Sequence, residues 1–227
     1  MNFFSTLLLA VMVMLPCHAG EPLSGAIPAG RLVDMSYPFN EDTVYWPTAP
    51  GFSKSTDFEG ITDQGFYYTA YSVSTAEHGG THLDAPIHFA EGRIAADEIP
   101  LDQLMGAAVV IDFSEQAAAN RDYRVSLEDL ESWENQHGQV PDGAIVLFHS
   151  GFGKFWPDRE AYMGTAERGP QAVAKLHFPG IDPPLAAFLA TERRIKAVGI
   201  DTPSIDYGQS TLFESHRILY DQNIPAF

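Results

Sequence analysis

The chain changes its pattern halfway along. Residues 21–66 are rich in proline, glycine and aromatics and show little periodicity, so Tyr37-Pro38-Phe39 and Val44-Tyr45-Trp46-Pro47 read as loops around short strands. From Phe66 to Ser74, β-branched and aromatic residues alternate loosely with polar ones, which predicts a strand. The second half is more regular. Ala107–Phe113 and Ala144–Phe148 are continuous apolar runs and read as buried strands, the second preceded by a Pro141-Asp142-Gly143 turn. Ser126 is suited to N-cap a helix with Leu127, Leu130 and Trp133 on one side, and Gly138 would end it. Asp182 is placed to cap a further helix, with Pro183 at its first position and Leu185, Phe188 and Leu189 as its buried face. A strand at Ala197–Ile200 follows, then Asp201-Thr202-Pro203. Strand and helix alternate in this half, while the first half is strand and loop, which predicts a mixed, β-rich α/β domain.

Length and charge narrow the function. The 227 residues suit one domain, and 45% apolar content allows a sizeable core. Thirty acids against 13 bases leave a formal charge of −17. Nucleic acid is therefore not an expected partner, because phosphate binding wants a basic face, and an anionic membrane surface is disfavoured for the same reason. Residues 1–19 read as an export leader: Leu7–Pro16 is an apolar run too short to span a bilayer, and Cys17-His18-Ala19 ends in a small residue where cleavage would leave a start near Gly20. The basic n-region is missing, and Met14-Leu15-Pro16 before Cys17 does not resemble a lipidation box. The expectation is a periplasmic or secreted protein with no membrane contact once the leader is removed. Cys17 is the only cysteine, so the mature chain would have no disulfide and no thiolate, and any metal would be held by imidazole and carboxylate, which suits zinc or manganese. The apolar ending Asn223-Ile224-Pro225-Ala226-Phe227 suggests a chain lacking a C-terminal part, because termini normally lie exposed.

The candidate chemistry is concentrated in Glu77–Phe89. This run holds His78, His82, Asp84 and His88, and its Gly79, Gly80 and Pro86 are poor interior helix residues. In an extended segment these four side chains share one face. A straight strand would still separate His78 from Asp84 by about 20 Å, too far for two ligands of one ion, so the chain must bend at Gly79-Gly80. Pro86 would hold Ala85 extended on the approach to His88. His78, His82 and Asp84 make a metal-binding triple with an open position, the layout of a catalytic site able to hydrolyse amides and esters. His88 could move a proton between water and leaving group, or be a fourth ligand; spacing leaves both open. Among the other histidines, His149 follows a buried strand and reads as structural, His177 as a loop residue, and His137 as a helix C-terminal residue, while His216 in an amphipathic stretch remains an even candidate ligand.

His78–Phe89 matches throughout the His-x-Gly-Thr-His-x-Asp-x-Pro-x-His-Phe signature of the metal-dependent cyclase family, which includes bacterial kynurenine formamidases and isatin hydrolases. The resemblance covers most of the chain: Asp34–Pro38, Trp46-Pro47, Phe178-Pro179-Gly180 and Gly199–Asp206 also match, whereas His149-Ser150-Gly151-Phe152 departs from the usual strand-Thr-Gly-Trp residues. It implies a swivelling β/β/α domain, a homodimer or higher homo-oligomer, and one or two divalent ions (Mn2+ or Zn2+) per subunit. It further implies His78, His82 and Asp84 as ligands and His88 as acid–base residue. His216 matches the position of a second-metal histidine, and the glutamate that follows it in the formamidases would fall just past Phe227. The implied substrate is a small aryl or cyclic amide, an isatin-like lactam or N-formylkynurenine. Tyr207-Gly208-Gln209-Ser210 looks more like the isatin-hydrolase type, which makes Gln209 a candidate substrate contact beside Tyr45 and Trp46. The competing reading is a non-catalytic periplasmic metal- or ligand-binding protein with the same residues.

Overall fold

The computed structural model describes residues 32–227, so the leader expected at 1–19 lies outside the described residues. The chain divides into two units, 1–34 and 35–227, and everything below concerns the second. Its strands are β1 (Ser53–Ile61), β2 (Tyr67–Ser74), β3 (Ala108–Asp112), β4 (Arg124–Val125), β5 (Ile145–His149), β6 (Gly180–Ile181) and β7 (Ala197–Ile200). Its helices are α1 (Ser114–Ala119), α2 (Leu127–His137), α3 (Arg159–Met163), α4 (Pro170–Val173), α5 (Pro183–Thr191) and α6 (Glu214–Asp221), with single 3-10 turns at Pro86–His88, Ala96–Glu98 and Phe152–Phe155. The architecture is mixed α/β with small sheets and flanking helices, the class expected. No helix among the described residues is long and apolar enough to cross a membrane.

β1 and β2 form an antiparallel hairpin from Ser53↔Ser74 to Ile61↔Tyr67, with an irregularity between Thr56 and Phe58. β4 and β6 make a short parallel pair. The central sheet is parallel, in the order β3-β5-β7. β5 is its middle strand and is mostly buried, as its apolar run predicts. β3 corrects the same expectation. Only Ile111 of this strand is buried, and Val110 is 52% exposed. As an edge strand it turns Ile111 and the following Phe113 to the core and Val110 outward.

Local signals set the helix ends well. Ser126 Oγ accepts the Asp129 N–H at 3.3 Å while Asp129 Oδ2 accepts the Ser126 N–H at 2.7 Å, a reciprocal cap on α2. Gly138 ends the helix at φ 88°, where a side chain would be strained. α5 begins at Pro183 as expected, but Asp182 makes no side-chain cap; its carboxylate pairs with Arg124 at 3.1 Å instead. A nearby full charge outcompetes the backbone N–H groups. Leu185 and Leu189 of α5 are buried and Phe188 is partly buried, with Arg193 over its ring. Leu130, Leu185, Leu189, Val198 and Leu219 are all 0% exposed and form the centre of the core. Burying each such side chain contributes about 1.5–3 kcal/mol.

Residues 225–227 run beside β7: Val198 N–H donates to Pro225 O at 3.1 Å and Phe227 N–H to Val198 O at 2.9 Å. On their other side Asp84 and Ala226 exchange backbone hydrogen bonds at 2.8 and 3.2 Å. The signature segment is thereby tied to the margin of the central sheet.

Candidate metal centre

The signature segment bends where the glycines stand. A Cβ at Gly79 would lie 2.1 Å from Tyr45 Cδ1, so no side chain fits there, and Gly80 has φ +62°. Thr81 Oγ accepts the Tyr37 N–H at 3.0 Å and pins the bend to the loop before it. Ala85 is extended (φ −75°, ψ 147°) before Pro86, as predicted, but His88 then leaves from a 3-10 turn opened by that proline rather than from extended chain.

This path brings the predicted residues together. One donor atom from each of His78, His82 and Asp84 lies within 4.8 Å of the others. Asp84 Oδ1 is 2.6 Å from His78 Nδ1 and 3.1 Å from His82 Nε2. His82 Nδ1 lies 2.9 Å from Gly80 O, which makes it the protonated nitrogen and leaves Nε2 free to ligate. Two imidazoles and a carboxylate at this spacing are a fitting donor set for a divalent ion of the zinc or manganese type. The His88 ring stacks on His78 with centroids 3.7 Å apart.

His216 joins them from α6. It is 3% exposed, with Nδ1 2.5 Å from Asp206 Oδ2 and Nε2 3.7 Å from Asp84 Oδ2. Asp206 also accepts the Ser215 and His216 N–H groups at 3.2 and 3.1 Å, anchoring the helix that carries the histidine. The Tyr220 hydroxyl donates to Asp84 Oδ2 at 3.1 Å.

The electrostatics follow from these contacts. Burial opposes ionisation of Asp84, yet hydrogen bonds from His216, His78 and His82 hold its carboxyl far below the usual range. Burial would lower His82 and His216; Asp84 raises the first, and Asp206 with Asp84 raises the second. His88 goes the other way: desolvation by the surrounding walls, then the charge of His78, lower it to about 4. It is neutral above that pH and able to accept a proton.

These groups line a cavity of about 290 Å³ together with Tyr45, Trp46, Phe89, Trp156, Tyr162 and Phe213. Tyr45 is 1% exposed, and its hydroxyl bonds Thr75 Oγ1 at 2.6 Å, so the ring is as much packing as wall. Trp46 stands edge-on to Phe178 and Phe213, with centroids 6.4 Å away in each case. Gln209 is not among the lining residues. Its amide donates to the carbonyls of Leu176 and Ala174 and holds that loop. His149 pairs with Asp112 at 3.2 Å and His177 with Asp122 at 2.8 Å, both away from the cavity; His137 ends α2 with its ring 4.8 Å from Trp133.

Sequence reasoning overlooked Phe213, Trp156, Asp206 and Tyr220 as site residues. For Tyr220 a signal existed, since it lies one helical turn after His216 on the same face. Phe213 offered none: it adopts a left-handed backbone (φ 48°, ψ 48°) before α6 and stacks on Phe89 at 5.0 Å.

The fold is that of a known class. The Cyclase family model matches residues 33–207, and the chain belongs to that family. An isatin hydrolase of Roseibium aggregatum is 26% identical over 215 residues, covering 88% of this chain and 78% of the relative. A kynurenine formamidase of Salinibacter ruber is 29% identical over 193 residues, 85% and 79% of the two chains. Among solved structures, isatin hydrolase A from Labrenzia aggregata bound to benzyl benzoate superposes with a TM-score of 0.75 at 28% identity, covering 86% of this chain and 78% of that one.

Proposed function

We propose that this protein is a divalent-metal-dependent amidohydrolase that cleaves the C–N bond of a small aryl or cyclic amide. An isatin-type lactam is the first specific choice and an N-formyl arylamine the second. The observation that carries the reading is the meeting of His78, His82 and Asp84 beside His88, in a cavity lined by aromatic side chains. The named relatives support the amide class.

His78, His82 and Asp84 would hold the ion, Mn2+ or Zn2+, and His216 is placed to contribute if a second is taken. Such an ion supplies Lewis acidity and an activated water. Phe89, Phe213, Trp46 and Trp156 line the cavity and would give a flat substrate apolar, aromatic contact. His88, neutral above about pH 4, would take a proton from the attacking water at a ring nitrogen and return it to the departing amide nitrogen. The leader-like Leu7–Pro16 run supports a place outside the cytoplasm. The apolar side chains exposed on the β1–β2 hairpin support association into a homo-oligomer.

The test strips the protein of metal, restores manganese or zinc, and follows isatin and N-formylkynurenine by absorbance. Metal-dependent loss of one substrate, abolished in His88→Ala, is the expected result and selects the subclass. Tight metal binding with no turnover of either would favour the binding-protein reading.

A further inference from the structure

Asp84 uses its two oxygens differently. Oδ1 faces the histidine pair, 2.6 Å from His78 Nδ1 and 3.1 Å from His82 Nε2. Oδ2 faces α6, where it accepts the Tyr220 hydroxyl at 3.1 Å and lies 3.7 Å from His216 Nε2. The backbone of Asp84 is clamped to Ala226 on both its N–H and its C=O. That clamp fixes the backbone and leaves the carboxylate its two side-chain torsions, whose rotation would tilt both oxygens out of line. Tyr220 is 0% exposed, and Asp84 is the partner its buried hydroxyl finds. The helix beneath it is anchored at its start by Asp206 and continues into Asn223 N–H donating to Tyr220 O at 2.9 Å.

From this geometry we infer that Tyr220 is a positioning residue: its hydroxyl holds Asp84 Oδ2 so that Oδ1 points at the space between His78 and His82. The inference rests on the metal-site reading above and assigns a role to a residue 136 positions from the carboxylate it orients. A ligating carboxylate that loses its outer hydrogen bond typically loses 10–100-fold in metal affinity. A purely structural hydroxyl would cost folding stability and leave affinity alone.

The two roles separate in Tyr220→Phe, which removes one oxygen atom, and in Tyr220→Leu, which removes the hydroxyl by a different shape; whichever folds suffices. The affinity for Mn2+ is measured by competition with a chelator, beside the melting curve of the metal-free protein and the electron paramagnetic resonance spectrum of bound Mn2+. Tyr123→Phe is the control, because it deletes a hydroxyl that bonds Asp129 at 2.9 and 3.0 Å away from the cavity. The expected result is a 10–100-fold loss of Mn2+ affinity and an altered spectrum in the Tyr220 variant, with Tyr123→Phe lowering the melting temperature only. An unchanged dissociation constant and spectrum in the Tyr220 variant would overturn the positioning role while leaving the metal site intact. Failure of the unsubstituted protein to bind Mn2+ or Zn2+ would overturn both.

Discussion

The β1–β2 hairpin, whose strands mix polar and apolar residues, and the parallel sheet, whose strands are almost wholly apolar, end in opposite environments. The hairpin leaves Phe58 40%, Ile61 66%, Tyr67 62%, Tyr68 50% and Val73 58% exposed. The parallel sheet holds Val146, Ala197 and Val198 at 0%. Strand preference is satisfied in both, because β-branched and aromatic side chains fit a pleated surface. Cover differs along with composition. The core around β5 and β7 takes in side chains of α2, α5 and α6, whereas the hairpin's apolar side chains remain open on both faces. Continuous apolar runs thus mark the buried strands β5 and β7 and mixed sequence the open hairpin, while β3 shows that an apolar run at a sheet edge is only partly covered.

Truncation in the covered sheet should have the largest effect. Phe148→Ala in β5 removes a side chain that is 2% exposed and should cost about 3–5 kcal/mol, read from urea unfolding of the metal-free protein. A loss under about 1 kcal/mol would mean that the sheet is not the core. His82→Ala tests which region the site depends on. Metal affinity should fall at least about 100-fold, while the metal-free melting temperature stays near that of the parent, because the residue is only partly buried. Unfolding instead would make the cluster a structural one.

The Glu134–Arg193 pair joins the end of α2 to the segment after α5. Two contacts of 2.8 Å link side chains that are each 14% exposed. Arg193→Ala should cost about 1–3 kcal/mol, between exposed and fully buried pairs. The hydrogen bond from Arg193 also lowers the Glu134 pKa below its ordinary value. That contribution is complete above the unfolded value of about 4.3 and disappears as pH falls through the lower folded value. Between pH 7 and 3 the parent should thus lose stability that Arg193→Ala has already lost, so the two urea midpoints should converge.

The smallest effect on folding should come from the hairpin. Tyr68→Ala should change the unfolding free energy by under about 0.5 kcal/mol, since its ring is half exposed. If the hairpin is where copies meet, Tyr68→Glu should instead lower the mass measured by light scattering. A parent of monomer mass would leave these exposed aromatics without that explanation.

Much of the site was legible because it is written in consecutive residues. The Gly79-Gly80 bend, the Pro86 restraint and the His78, His82, Asp84, His88 set all lie within the signature and meet as its spacing requires. The Ser126 cap and the Gly138 stop are equally local, since each acts on backbone groups within a few residues. The contacts of the Asp182 and Gln209 side chains were not legible for the converse reason: Arg124 and the carbonyls of Ala174 and Leu176 reach them from elsewhere in the chain. Periodicity and local signals by themselves determined the α/β class and the places of β2, β3, β5, β7, α2 and α5, and the signature residues the donor chemistry; β1 was missed, because its mixed sequence in 21–66 reads as loop. The tertiary structure alone decided that β3 is half exposed, that the hairpin is uncovered, and that Asp206, His216 and Tyr220 close behind Asp84. Backbone preferences act over a few residues, whereas burial and hydrogen-bond partnership are set by whatever the fold brings into contact.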